Sequence, residues 1–217
     1  MPGMTRMART PARLIAAAIC VSATLSLIPC ADQAVARPIP IKSAIRPAAR
    51  IWYPQSAYPR LALPDGRQEV VRSMLNITRP MQFGDFVWNT DRIPEGPVWV
   101  RVDLSRQLVS VFRAGHEIGS AVILYGTDGK ATPTGSFTIQ EKDADHRSHS
   151  YDAAMPYMLR LTKDGVAIHG SAVLQGWATH GCIGVPLEFS RLLFTAAAKG
   201  DSVIILPAPP KNGKNKS

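Results

Sequence analysis

Cysteine is nearly absent from this 217-residue chain, which holds only Cys20, Cys30 and Cys182. Two of the three fall in a stretch that reads as a leader, so a processed chain keeps Cys182 alone. A single thiol excludes the internal disulfide framework that staples many small secreted domains. Also missing is any internal repeat, and with it a stacked-repeat architecture. No second apolar run is long enough to suggest a membrane span. HExxH-type spacing does not occur, which removes the usual signature of a zinc hydrolase. The basic residues are scattered rather than gathered in a stripe, which argues against a nucleic-acid partner.

What is present begins with Arg6, Arg9 and Arg13, then an apolar run over 14–28, then Ala34-Val35-Ala36. A positive start, a short apolar centre and an A-x-A site predict a signal peptide over 1–36. The expected destination is therefore outside the cytoplasm, in the periplasm or cell envelope, with no stable membrane span after cleavage. Retention as an uncleaved anchor and lipidation at Cys30 are the alternatives, and Pro29 fits lipidation poorly. Three of the 25 Lys and Arg, and one of the 16 Asp and Glu, lie in that leader, which leaves 22 basic against 15 acidic residues. Such a surface suits a carboxylate-rich polymer reached by long-range attraction, and equally a plainly solvated protein.

Residues 37–64 carry Pro38, Pro40, Pro47, Pro54, Pro59 and Pro64, and read as a linker or poorly ordered arm, with Trp52, Tyr53 and Tyr58 as candidates to pin part of it to the domain. Asp65-Gly66-Arg67-Gln68 reads as a capping box, followed by Val70, Val71, Met74 and Leu75 at helical spacing. The expectation for 65–97 is a short helical lead-in. From Val98 the period changes: Val98, Val100 and Val102 alternate with Trp99 and Arg101, 108–112 follows, and Ala114-Gly115 signals a hairpin into 117–125. A second hairpin is expected between 158–161 and 166–168, across Thr162-Lys163-Asp164-Gly165. Leu187, Phe189, Leu192, Leu193 and Ala196 make a helical stripe, with Pro186 in its first turn and Gly200 at its C-cap. A strand over 202–206 and a polar tail over 208–217 complete the chain. The fold class is mainly β (α+β): a sandwich or barrel carrying one main helix after Cys182.

By count alone Cys182 reads as a buried structural thiol. Its neighbours reverse that reading: Ile168-His169-Gly170-Ser171, then Thr179-His180-Gly181-Cys182-Ile183-Gly184-Val185. A cysteine nucleophile needs a base, backbone donors for an oxyanion, and room for an acyl group. His169 and His180 are candidate imidazoles, and the amides of Gly181 and Cys182 are candidate donors. An imidazolium nearby would lower the thiol pKa. Upstream stands the turn Thr132-Pro133-Thr134-Gly135-Ser136-Phe137.

These three motifs, in this order, resemble the L,D-transpeptidase catalytic domain (the YkuD-type domain), with its T-P-x-G-x-F, I-H-G and S/T-H-G-C segments. The resemblance covers about half the chain and assigns a catalytic domain to 98–207, with a β-sandwich-like fold. It implies a peptidoglycan L,D-transpeptidase that forms a Cys182 thioester on a tetrapeptide stem, without cofactor or metal. His169 would be the general base, oriented by the carbonyl of Gly170. Gly181 and Cys182 would stabilise the oxyanion, while His180 and Thr179 shape the site. Peptidoglycan stem peptides are the implied partners, and the resemblance leaves a second stem, a lipoprotein lysine or a free D-amino acid as the acceptor. Water as acceptor would give an L,D-carboxypeptidase, and a non-catalytic wall-binding module is a further alternative. A zinc site from His146, His149, His169, His180 and Cys182 would lack an acidic partner.

Two departures from the family stand out. Gly184 replaces the arginine that usually follows Cys-Ile, and the interval from His169 to Cys182 is short. The segment 142–151, with His146, Arg147 and His149, is expected as a flap in which Arg147 supplies the missing cation; an ordinary solvated loop is the alternative. Tyr157 and Ser171 are further candidate substrate contacts.

Overall fold

The computed structural model describes residues 49–63, 66–126, 129–148 and 152–208. Four strands open the described chain: Ala49–Trp52 (β1), Arg60–Ala62 (β2), Gln68–Val70 (β3) and Ser73–Asn76 (β4). The helix expected over 65–75 is therefore corrected to strand. Gly66, at φ +83°, turns the chain between β2 and β3, which pair antiparallel from Arg60↔Val70 to Ala62↔Gln68. The supposed capping box is thus a hairpin turn, the other structure that an Asp-Gly pair favours; Asp65 itself lies outside the described residues. Met74 and Leu75, spaced as a helix would have them, instead alternate: Ser73 and Leu75 are buried, Met74 and Asn76 half-buried. Pairing with distant strands outweighs local helical spacing here.

The arm expected over 37–64 is likewise corrected from residue 49 onward. β1 pairs antiparallel with β4, from Ala49↔Asn76 to Trp52↔Ser73. Arg50 fixes this edge by donating to Glu117 O at 2.6 Å, Asn89 O at 3.0 Å and Ser73 Oγ at 3.2 Å. Trp52 sets its ring edge-on to His116, and Tyr53 reaches Met74 Sδ at 3.6 Å.

The expected strands from Val98 are present. Phe86–Trp88 (β5) precedes the meander Val98–Asp103 (β6), Leu108–Arg113 (β7) and His116–Val122 (β8). Then come Gly135–Thr138 (β9), Glu141–Asp143 (β10), Met158–Arg160 (β11), Ala167–Ser171 (β12), Ile183–Pro186 (β13), the helix Leu187–Ala196 (α1) and Ser202–Leu206 (β14). The larger sheet runs β1-β4-β8-β7-β6-β14-β9, with β5 also on β8; the smaller runs β10-β11-β12-β13. The protein is mainly β with one helix, and its sheets are open rather than closed into a barrel.

Alternation places the core. Val100, Val102, Val109, Val111, Val203 and Ile205 of the larger sheet bury against Leu159, Ile168, Ile183 and Val185 of the smaller and against Phe189 and Leu193 of α1. The β2–β3 ribbon caps the opposite face through Leu61 and Leu63, over the stacked rings of Trp99 and Phe112, 4.0 Å apart. Pro186 is the N-cap of α1 rather than in its first turn, and the helix ends at Ala196, with Ala197 extended. Gly200, expected as the C-cap, belongs to the turn into β14 at φ +96°. The last carbonyls of α1 are met by Lys142, whose Nζ donates to Phe194 O at 2.7 Å and Ala197 O at 2.5 Å. A cation at that end also faces the negative pole of the helix.

Candidate active site

Strands β12 and β13 run parallel, with Ile168 opposite Ile183 and His169 opposite Gly184. Ile168 and Ile183 both point into the core, so alternation turns Ala167, His169, Cys182 and Gly184 to the other face. Cys182, the residue before β13, thus continues the face that His169 takes on β12, offset diagonally. Gly184, opposite His169, puts no side chain beside the ring.

A second set of contacts holds the cysteine loop. Thr179 N–H donates to Tyr125 O at 3.2 Å, and Thr179 Oγ1 donates to Cys182 O at 2.5 Å. Gly184 exchanges both backbone bonds with Leu124, at 2.8 and 2.9 Å. Gly181 bends at φ +101°, a region that favours glycine. Gly126 lies so near that a Cβ on it would come within 2.6 Å of Gly181 N, so the bend is pressed onto the chain after β8. Gly126 N–H in turn donates to Thr132 Oγ1 at 2.8 Å, which gives the Thr132-Pro133-Thr134-Gly135 turn a share in shaping the cysteine loop.

His169 Nδ1 lies 2.9 Å from Gly170 O. A carbonyl only accepts, so Nδ1 carries the hydrogen, and in the neutral ring Nε2 keeps its lone pair. Burial pushes the His169 pKa below its ordinary value, the Gly170 carbonyl opposes this, and His146 adds to it. The ring is neutral near pH 7. Cys182 is half-buried against Met155, Met158 and Ala167, with Sγ 3.7 Å from Gly165 O. Burial pushes its thiol pKa up, against a backbone hydrogen bond at Ala167 and the charge of Lys130, while Asp164 pushes the same way as burial. At rest the pair is thiol and imidazole, not thiolate and imidazolium.

The remaining sequence candidates are dispersed. His180 is exposed on the loop before Gly181. Arg147 gives its guanidinium to Asp152, Nε to Oδ1 at 2.7 Å and a second nitrogen to the backbone oxygen at 2.9 Å. Tyr157 packs its ring against Phe194, 5.8 Å away, beside α1. Ser171 lines an apolar groove of about 570 Å³ together with Phe83, Phe86, Gly170, Trp177 and Leu187, and Cys182 and His169 are not part of its wall. The expected flap begins as β10, and His146 within it is held by Asp143 at 3.1 Å; His149 lies outside the described residues. Among the described residues no group of three or more His, Cys, Asp and Glu is placed to hold a metal ion. Sequence reasoning passed over Lys130, took Asp164 only as a turn residue and did not pair His146 with Asp143, because nothing in their local motifs announces these roles.

No curated protein matches the chain. The solved structures similar to it include an L,D-transpeptidase (Yku) from Stackebrandtia nassauensis, 27% identical over 55% of this chain and 61% of that one, TM-score 0.49. An L,D-transpeptidase from Mycobacterium smegmatis is 20% identical over 51% and 58%, TM-score 0.48. L,D-transpeptidase 3 from Mycobacterium tuberculosis, solved with a faropenem-derived adduct, is 21% identical over 51% and 60%, TM-score 0.48. The chain thus spans about three fifths of the length of these proteins. The family model of the L,D-transpeptidase catalytic domain, YkuD, matches residues 97–205, half of the chain and a span that holds both His169 and Cys182. On that match the chain belongs to the L,D-transpeptidase catalytic-domain family.

Proposed function

We propose that the protein is a peptidoglycan L,D-transpeptidase in which Cys182 carries the acyl group. The observation that supports this best is the anchored imidazole: Nδ1–H of His169 is fixed on Gly170 O at 2.9 Å, while Cys182 continues the strand face that the ring takes. Fixing one nitrogen dedicates the other to proton transfer.

In the first step His169 Nε2 takes the Cys182 proton as sulfur attacks the carbonyl of the L-centre diamino acid in a tetrapeptide stem. The carbonyl oxygen gains the charge, and the amides of Gly181 and Cys182 are the nearest candidate donors for it. Collapse forms the thioester and breaks the bond to the terminal D-alanine, whose amine receives the proton from His169. In the second step an amine attacks the thioester, His169 takes its proton, and Cys182 leaves with one. Thiol and imidazole start neutral, so the proton moves when substrate arrives, and no charge has to be stored in a half-buried site.

The leader motif over 1–36 supports an exported protein acting in the periplasm or envelope, where stem peptides are met. Incubation with a tetrapeptide stem, followed by intact-mass measurement, should show the protein heavier by the stem less D-alanine. The adduct should be absent in Cys182→Ser and reduced at least a hundredfold in rate in His169→Ala. If the wild-type protein forms no adduct with any stem peptide, the proposal fails.

A further inference from the structure

Beside the thiol, the imidazole and the backbone amides stand two charged side chains without a role. Lys130 is exposed, but its stem is not loose. Its Cγ and Cε lie 3.5 and 3.6 Å from the point a Cβ on Gly181 would occupy, so the chain lies across the bend that presents Cys182. Its carbonyl presses on Gly126, and two residues later Thr132 Oγ1 accepts from Gly126 N–H at 2.8 Å. The base of the side chain is thereby fixed while the ammonium faces solvent at the loop.

Asp164 occupies the other lip, in the hairpin turn between β11 and β12. Its carboxylate accepts from the Thr162 hydroxyl, and the next residue supplies the carbonyl that Cys182 Sγ approaches at 3.7 Å. Charges on both lips reach the sulfur with opposite sign, Lys130 lowering its pKa and Asp164 raising it. They also reach each other, since Lys130 helps hold Asp164 below the usual carboxylate range, after its bond to Thr162. Other ionisable groups near the site include the imidazoles of His169 and His146, the latter bound to Asp143, with His180 exposed on the loop before Gly181 and Lys163 beside Asp164 in the turn. Arg147 is occupied by Asp152. Lys130 is thus the basic side chain whose stem the fold holds against the cysteine loop.

We propose that Lys130 is the specificity-determining cation of the thiol site, favouring acyl donors with a carboxylate close to the scissile carbonyl, and that Asp164 on the opposite lip limits its pull. An exposed charge pair of this kind changes a rate by about threefold to tenfold at low salt, and by less as salt screens it. What the natural donor is rests on the transpeptidase reading; the carboxylate preference rests on the Lys130 stem lying across the Gly181 bend.

Two alkylating reagents separate the questions. Iodoacetate and iodoacetamide meet the same fate at Cys182, where a sulfur–carbon bond forms and iodide leaves, but only the first carries a carboxylate. Modification of Cys182 in the full chain is followed by peptide mass at low salt, and the ratio of the two rates cancels any change in thiol pKa. Lys130→Gln should lower the iodoacetate-to-iodoacetamide ratio about threefold to tenfold, Lys130→Arg should keep it, and Asp164→Asn should raise it. A ratio unchanged between wild type and Lys130→Gln, in protein that alkylates readily, overturns this inference and leaves the nucleophile intact. A native Cys182 that neither reagent modifies overturns the nucleophile and this inference with it.

Discussion

Gly184 stands where a longer side chain would have to share space with its neighbours. A Cβ there would lie 3.0 Å from Ser171 Cβ, 3.3 Å from Ser171 Oγ and 3.5 Å from Leu124 Cβ. Restoring the arginine that the family motif carries should therefore harm this chain. Gly184→Arg is expected to cost about 1–3 kcal/mol in chemical denaturation, and Ser171→Gly in the same chain should recover part of it. An equal or higher stability of Gly184→Arg would show that the pocket relaxes freely. His146 offers a second test at this scale. Its charge is one of the influences that hold the His169 pKa down, after burial. If His169 is the general base of the proposed reaction, its neutral form is the active one, so activity is lost as pH falls through that pKa, on an acid limb below the ordinary histidine value. Removing the neighbouring positive charge with His146→Asn should raise the His169 pKa and move the acid limb of kcat/KM to higher pH. A limb that stays put, or moves down, would separate the two imidazoles electrostatically. At residue scale the family was legible where glycines and histidines crowd the cysteine, as in Ile168-His169-Gly170 and Thr179-His180-Gly181-Cys182, segments that lie inside the matched catalytic domain. Lys130 and Asp164 were not, because they are brought to the thiol by folding across more than a dozen residues.

Among elements, the local signals were read correctly where a strand and its turn are contiguous. The meander β6–β7–β8 and the β11–β12 hairpin follow from alternation and from glycines that tolerate positive φ, with Gly115 at +81° and Gly165 at +94°. Strand β3 was missed although its partner β2 is local, because Val70, Val71, Met74 and Leu75 also fit a helical template; β4 was hidden because its partners lie elsewhere: it bridges β8 at Ser73↔His116, and Leu75 N–H donates to the Glu117 carboxylate at 2.9 Å. No helical template contains that information. Arg50 tests whether this early segment is integral. Its guanidinium satisfies two backbone carbonyls and the Ser73 hydroxyl, all in the region of β4, β5 and β8. Arg50→Ala should lower stability by about 1–3 kcal/mol, because buried acceptors lose a charged donor. A melting temperature unchanged in calorimetry would make β1 an ornament on the domain rather than part of it.

For the whole molecule, the sandwich class was legible and the sheet order was not, since order depends on which distant strands meet. β14 is the clearest case. The last strand to be described lies inside the larger sheet, parallel to β6 along Ser202↔Trp99 to Leu206↔Asp103 and antiparallel to β9 along Ser202↔Thr138 to Ile205↔Gly135. Until residues 202–206 arrive, β6 and β9 each present an open edge. Contacts that join positions about a hundred residues apart form late and slowly. A chain made or threaded from its N-terminus therefore stays unfinished until residues 202–206 emerge, and its thiol loop, which leans on that core, takes shape only when the closing strand slides home.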